Sequence, residues 1–194
     1  MKFALPLLTL LVLGPVLSSA SAQTLKPSTP ATAAPAAPAT TVAKTNLVTQ
    51  PGYSFTAAGG WLSLRNDQGN SALKGPAVTG KPHANFTVLV SDLSKVAKAN
   101  RTLGVARDVR AEELPTLVKN FKWLGERTVK VAPSGTLGVL WSYSGQDQGQ
   151  GFRWTQLMTM KGDKLYTVTL AVPDGTRADV AAAGRTMFDS FALR

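Results

Sequence analysis

The sequence predicts an α+β domain, and three observations carry that reading. Residues 152–160 and 165–172 are rich in β-branched and aromatic side chains, and the polar Lys161-Gly162-Asp163-Lys164 between them is short enough to close a β-hairpin. Within residues 91–125 the apolar period changes to that of a helix, with Leu114, Leu117, Val118 and Phe121 at i, i+3, i+4 and i+7. The chain then closes with a helix over residues 177–189, turning Val180, Gly184, Met187 and Phe188 inward, and a short terminal strand.

Taken in order, residues 1–22 read as a secretory signal peptide. Lys2 supplies the positive start, residues 3–17 the apolar run, and Ala20-Ser21-Ala22 a small-residue cleavage site. The run is shorter than the ~20 residues a membrane span needs and holds Pro6, Gly14 and Pro15. No later segment approaches ~18 uninterrupted apolar residues, so the expected product is an exported protein, periplasmic or secreted, without a transmembrane segment. The chain has no cysteine, which removes disulfides, thiolate metal sites and a lipid anchor at the cleavage site. Residues 23–45, mostly Ala, Pro and Thr, hold too little apolar bulk to offset ordering entropy and read as a disordered linker. Residues 46–194 form one globular domain, large enough to bury close to ~70% of the surface of its unfolded chain.

Within that domain, Tyr53-Ser54-Phe55 and Trp61-Leu62-Ser63-Leu64 read as two short strands separated by Gly59-Gly60. Residues 66–70 form a polar turn and 75–82 a loop marked by Gly and Pro. Residues 85–90 make a third strand with Phe86, Val88 and Val90 on one face. A short helix is expected over 91–100. A longer one begins near Ala111, which puts Glu112 and Glu113 in its favourable first turn, Pro115 near its start, and Lys119 and Lys122 near its end. Strands resume at 128–131 and 137–143, and 145–151 reads as a long polar hairpin loop ahead of the hairpin already described. Thr176-Arg177-Ala178-Asp179 has the spacing of a capping box for the last helix.

Charge is the strongest global signal. The chain carries +10, and since Lys2, Lys26 and Lys44 precede residue 46, the domain holds 18 basic residues against 11 acidic ones. Such a balance favours acidic partners. Lys95, Lys98, Arg101, Arg107 and Arg110 lie close together with Asp108 between them, and form the candidate electrostatic contact. No aromatic occurs from Ser91 to Asn120 to stack on bases, so sequence-specific nucleic-acid recognition is not expected. His83 is the sole histidine, which excludes multi-histidine metal centres, and no GxSxG marks a serine nucleophile. Asp174 and Asp179 fit turn and cap positions, and the acids lack EF-hand spacing. The glycines of 145–151 lead into a strand rather than a helix, so they make a hairpin tip and not a phosphate cradle. Trp61, Trp141, Trp154, Tyr143 and Tyr166 fall on strands and serve a core. They are more than one buried face needs, so an exposed aromatic would mark a binding surface. No catalytic, cofactor or metal site is expected.

Gly52-Tyr53-Ser54-Phe55, Gly60-Trp61 and the closing Ser190-Phe191-Ala192-Leu193 resemble the PsbP-like superfamily, which includes the extrinsic PsbP subunit of photosystem II and bacterial DcrB-like periplasmic proteins. The resemblance covers about residues 50–194 and departs at Ala57-Ala58-Gly59, where a proline is expected, and in a long stretch 91–110. It implies an antiparallel sheet of about six strands with helices on both faces, and a binding or assembly subunit rather than an enzyme. The functional expectation is therefore an exported, non-catalytic binding or assembly module contacting a macromolecular partner in the cell envelope. The alternative is a basic surface that binds anionic envelope polymers or anionic membrane without a discrete protein partner.

Overall fold

The computed structural model describes residues 45–65 and 69–194. The segments expected to be a signal peptide and, apart from Thr45, a linker lie outside the described residues, as do residues 66–68 of the expected polar turn. The elements run β1 (Asn46–Gln50), β2 (Tyr53–Ala57), β3 (Leu62–Arg65), β4 (Ser71–Lys74), β5 (Asn85–Asp92), α1 (Leu103–Leu117), β6 (Lys119–Val131), β7 (Thr136–Asp147), β8 (Gln150–Lys161), β9 (Lys164–Pro173), α2 (Ala178–Asp189) and β10 (Ala192–Leu193). They make an α+β protein with two antiparallel sheets: seven strands in the order β3-β4-β5-β9-β8-β7-β6, and three in the order β1-β2-β10. The expected single sheet of about six strands is thus corrected to seven strands plus three. β1 and β4 escaped sequence reading because β1 is largely exposed and β4 is only Ser-Ala-Leu-Lys, so neither shows a strong apolar alternation.

β6 to β9 form a meander of long hairpins. The expected loop at 145–151 is instead strand almost throughout, because Gln148 (φ 49°) and Gly149 (φ 82°) close it in two residues, both with the positive φ of a type I′ turn. Strand alternation then sorts the side chains into two cores on opposite faces of the large sheet. Leu157 sits opposite Val168 on one face, and Trp154 opposite Ala171 on the other. The first face gathers Phe86, Val88, Val168 and Leu170 beneath Val180, Met187 and Phe188 of α2 and Tyr53 and Phe55 of the small sheet. The second gathers Val139, Trp141, Tyr143, Trp154 and Met158 with Leu114 of α1. Phe86, Val88 and Met187 are fully buried, and burial of side chains of this kind stabilises a fold by ~1.5–3 kcal/mol each.

The central helix differs most from expectation. It starts at Leu103, where the Thr102 hydroxyl accepts from the Val105 N–H at 3.2 Å, and ends at Leu117. Glu112 and Glu113 therefore stand in its C-terminal half rather than its first turn, and Pro115 near its end. Phe121 and Lys122, placed on a helix by their spacing, lie on β6. Asn120 takes φ 55° at the change of direction, and Phe121 packs on Tyr143 with centroids 5.5 Å apart. Pairing of ten residues of the 13-residue β6 against β7, and this aromatic contact, outweigh a helical period of only four apolar positions. The expected helix at 91–100 reduces to a 3₁₀ turn at Lys98–Asn100, since Ser91 and Asp92 complete β5. α2 turns inward the four residues expected of it but lacks the capping box. The Thr176 hydroxyl donates instead to the Pro173 carbonyl at 2.7 Å, and Asp179 pairs with Arg177.

Candidate functional site

The five basic residues singled out in the sequence do not form one surface. Lys95 and Lys98 are exposed on the connection from β5 to α1. Arg101 folds that connection onto the β8–β9 turn, donating to the Asp163 carboxylate at 3.0 Å and to the Val96 carbonyl at 2.6 Å. Arg107 ties α1 to β6 through Glu126 at 2.8 Å and also reaches Asp108 at 2.9 Å. Arg110 is only 6% exposed, and donates to Glu113 at 3.2 Å and toward Gln156 at 3.5 Å. Gln156 in turn donates to the Thr169 hydroxyl at 3.0 Å. Arg107 and Arg110 are three residues apart, hence on one side of the helix, and that side faces the sheet. Arg110 is thus withdrawn from any partner, which corrects its assignment as a surface contact.

This buried polar chain is structural. Burial pushes the Tyr143 phenol up to about 12, with Arg110 pulling it the other way. The Arg107 hydrogen bond holds the Glu126 carboxyl below its ordinary range. Trp141 Nε1 faces the same carboxylate and adds to that pull, but too loosely for a full hydrogen bond. The His83 Nδ1–H donates to the Gly75 carbonyl at 2.8 Å, a structural use of the one histidine. Among the described residues no group of three or more His, Asp or Glu is placed to hold a metal ion. Among them, too, no helix is long and apolar enough to cross a membrane.

What stands open is the outer edge of the large sheet. β6 pairs only with β7, and along it Trp123 and Leu124 are 43% and 55% exposed. Trp123 is the open end of a continuous aromatic stack. It meets Phe121 edge-on at 4.9 Å and Trp141 at 5.2 Å. Phe121 leads to Tyr143, which stacks on Trp154 at 5.3 Å, and Trp154 stacks on Phe152. Such ring pairs stabilise by ~0.5–1.5 kcal/mol beyond their area, so the stack fixes Trp123 in position while leaving much of it in solvent. Lys119 and Lys130 are exposed near the two ends of the strand. The two register shifts, at Lys119/Lys122 and Trp123/Gly125, together with these lysines, discourage the edge from pairing indiscriminately with another strand.

Trp61, Trp141, Trp154, Tyr143 and Tyr166 are all buried, as core residues should be. Two cores rather than one account for their number. Trp123 was missed because the helical period through Phe121 hid it. The usable signal was alternation in Phe121-Lys122-Trp123, which joins residues 128–131 as one long strand.

This architecture is the PsbP-like fold. The solution structure of cyanobacterial PsbP (CyanoP) from Synechocystis sp. PCC 6803 matches it with a TM-score of 0.53 and 16% identity, over 82% of this chain and 98% of that one. PA94 from Pseudomonas aeruginosa, a protein of unknown function described as a putative regulator, matches with a TM-score of 0.55 and 16% identity, over 77% and 97%. LpqN of Mycobacterium tuberculosis, involved in cell envelope biogenesis, matches with a TM-score of 0.51 and 13% identity, over 77% and 90%. No protein-family model matches the chain, and no curated protein does. At these identities the likeness defines the fold and leaves the partner to the chain's own surface.

Proposed function

We propose that this protein is an exported, non-catalytic binding module that holds an acidic protein segment of the cell envelope against the outer edge of β6. The observation that carries the reading is Trp123: an aromatic held rigidly at the mouth of a ring stack, 43% exposed, on a strand with basic residues near both ends. Rigid, half-exposed tryptophans are the residues that most often dominate binding energy, and surrounding cations favour an acidic partner. The leader-like residues 1–22 and the envelope role of one fold neighbour support export. Lys95 and Lys98, the two members of the sequence cluster that remain exposed without an ion pair among the described residues, add long-range attraction.

The test is a pull-down from envelope extract at about 50 mM and about 300 mM salt, which bracket weak and strong screening. The parent and the Trp123→Ala variant are run side by side, with thermal melts to establish that both are folded. A discrete acidic protein, retained by the parent at the higher salt and lost from Trp123→Ala, is the expected result. Recovery of polyanionic material alone, released at the higher salt from both proteins, would replace this reading with that of a general basic surface.

A further inference from the structure

The register of the outer strands assembles a second surface, on the face turned away from α1 and from Trp123. Lys122 of β6 lies opposite Ser144 of β7, which lies opposite Arg153 of β8. One row further along β7, Ser142 lies between Gly125 and Thr155, and one row beyond that Arg127 lies opposite Leu140. Followed inward, the same rows become apolar: Arg153 is opposite Val172, Thr155 opposite Leu170, and Leu157 opposite Val168. The face therefore changes from packing residues beneath α2 to hydroxyls and cations on the outer strands. Lys122, Arg127 and Arg153 are exposed, and none has an ion pair among the described residues.

We infer that this face binds phosphate groups of an anionic polymer, with one phosphate held by Lys122, Ser144 and Arg153. Adjacent strands stand ~4.8 Å apart, so two long cationic side chains flank one short hydroxyl across three strands. That offers a tetrahedral dianion an ammonium, a hydroxyl and a forked guanidinium. No acidic residue stands across the strands from these cations in the three rows, so no row carries its own counter-charge. The row lines a depression at the sheet's end, bounded by Asn120, Gln146 and Asp174. Asn120 donates to Gln146 at 2.9 Å and so fixes that wall. Asp174, whose N–H is held by the Gly151 carbonyl at 2.9 Å, also lines the depression with its carboxylate over Gly151, so it opposes an anion seated there and sets the end of the site away from Gly151. The open direction runs the other way, over Gly125, where even an added Cβ would meet nothing within 4 Å. It leads to Arg127, which is four residues along β7 from Ser144 in register, or ~14 Å at ~3.4 Å per residue. A second cation at that spacing suits a chain of phosphates better than a lone one.

Calorimetric titration at about 50 mM salt with short-chain linear polyphosphate, and separately with inorganic phosphate, tests the inference. Lys122→Ala and Arg153→Ala should each weaken polyphosphate binding ~10-fold, the scale of one charge-assisted hydrogen bond. Lys164→Ala, which removes the same charge at the other end of β9, should change it less than ~2-fold, and Asp174→Asn should tighten it. Arg127→Ala should weaken the polymer and leave inorganic phosphate unaffected. Equal losses at Lys164 and Lys122 would reduce the site to general electrostatics. Inorganic phosphate bound as tightly as the polymer would overturn the polymer assignment, and no binding by the parent would overturn the site. Trp123→Ala leaves this face intact, so its failure to hold a protein and the failure of the phosphate site are read separately.

Discussion

Arg110 offers the sharpest test of how the charge of this protein is divided between structure and surface. Its neighbours in sequence make it part of a basic patch, whereas its 6% exposure and its contacts make it an internal strut. Arg110→Leu keeps much of the apolar stem and removes the guanidinium. Losing the bond to Glu113 would cost up to ~1.5–3 kcal/mol if that carboxylate stayed dry, but Glu113 is 38% exposed and rehydrates, which discounts the figure. Gln156 is fully buried and, through Nε2, keeps its bond to Thr169, while its Oε1 loses the one donor described for it. An acceptor stranded this way costs ~1–3 kcal/mol, although at 3.5 Å the original bond was already long. Against these stands the guanidinium desolvation that the variant no longer suffers.

The balance is a loss of ~2 kcal/mol, which for a domain of this size lowers Tm by ~4–8 °C. Urea unfolding followed by tryptophan fluorescence should show the midpoint fall with an unchanged slope. Partner or polyphosphate affinity, measured at a temperature where both proteins are folded, should stay within ~2-fold. A variant as stable as the parent with affinity reduced ~10-fold would refute the reasoning, because it would return Arg110 to the surface. A more stable variant would refute it differently, by showing that desolvation outweighs the hydrogen bonds.

Two further expectations concern the fold. Gly184 faces Leu170 and Trp61 so closely that an added Cβ would stand 2.8 Å from Leu170 Cδ1 and 3.1 Å from Trp61 Cζ2, so Gly184→Ala should destabilise by ~1–3 kcal/mol in urea unfolding. Glu126 has a folded pKa depressed below its ordinary 4.5, first by the Arg107 hydrogen bond, so its contribution to stability is present above that value and lost as pH falls through the lower folded one. Melting curves from pH 7 to pH 3 should show Glu126→Gln less stable than the parent at neutral pH and the difference closing in acid. A gap that stays constant to pH 3 would mean the carboxylate's charge is not what Arg107 reads.

Much of the fold was legible because its signals were local. The β8–β9 hairpin follows from two alternating runs around a four-residue polar break, and the inward stripe of α2 from its 3.6-residue period. The span from Ser91 to Leu124 was not legible, for a physical reason. Leu114, Leu117, Val118 and Phe121 satisfy a helical period, yet Leu117 is exposed and Phe121 belongs to a strand. The deciding contact, Phe121 on Tyr143, joins residues far apart in sequence, and no local propensity reports it.

The same distinction governs the site. A run of cations on one segment looks like a patch, but a helix distributes neighbours ~100° apart and must turn one side to the sheet. In α1 that side carries Arg107 and Arg110, which bind Glu126 and Glu113 and are consumed by the fold. Lys122, Ser144 and Arg153 are unremarkable where they stand in the chain, each a lone polar residue beside aromatics: Phe121 and Trp123, Tyr143, and Phe152 and Trp154. Only the register of two hairpins makes them neighbours, and register follows from turn closure at Gln148-Gly149 and from the burial of Trp141 and Trp154 on the opposite face. A shift of one residue in either hairpin would send its aromatics outward and its cations inward. The apolar core on one face therefore specifies the charged rows on the other.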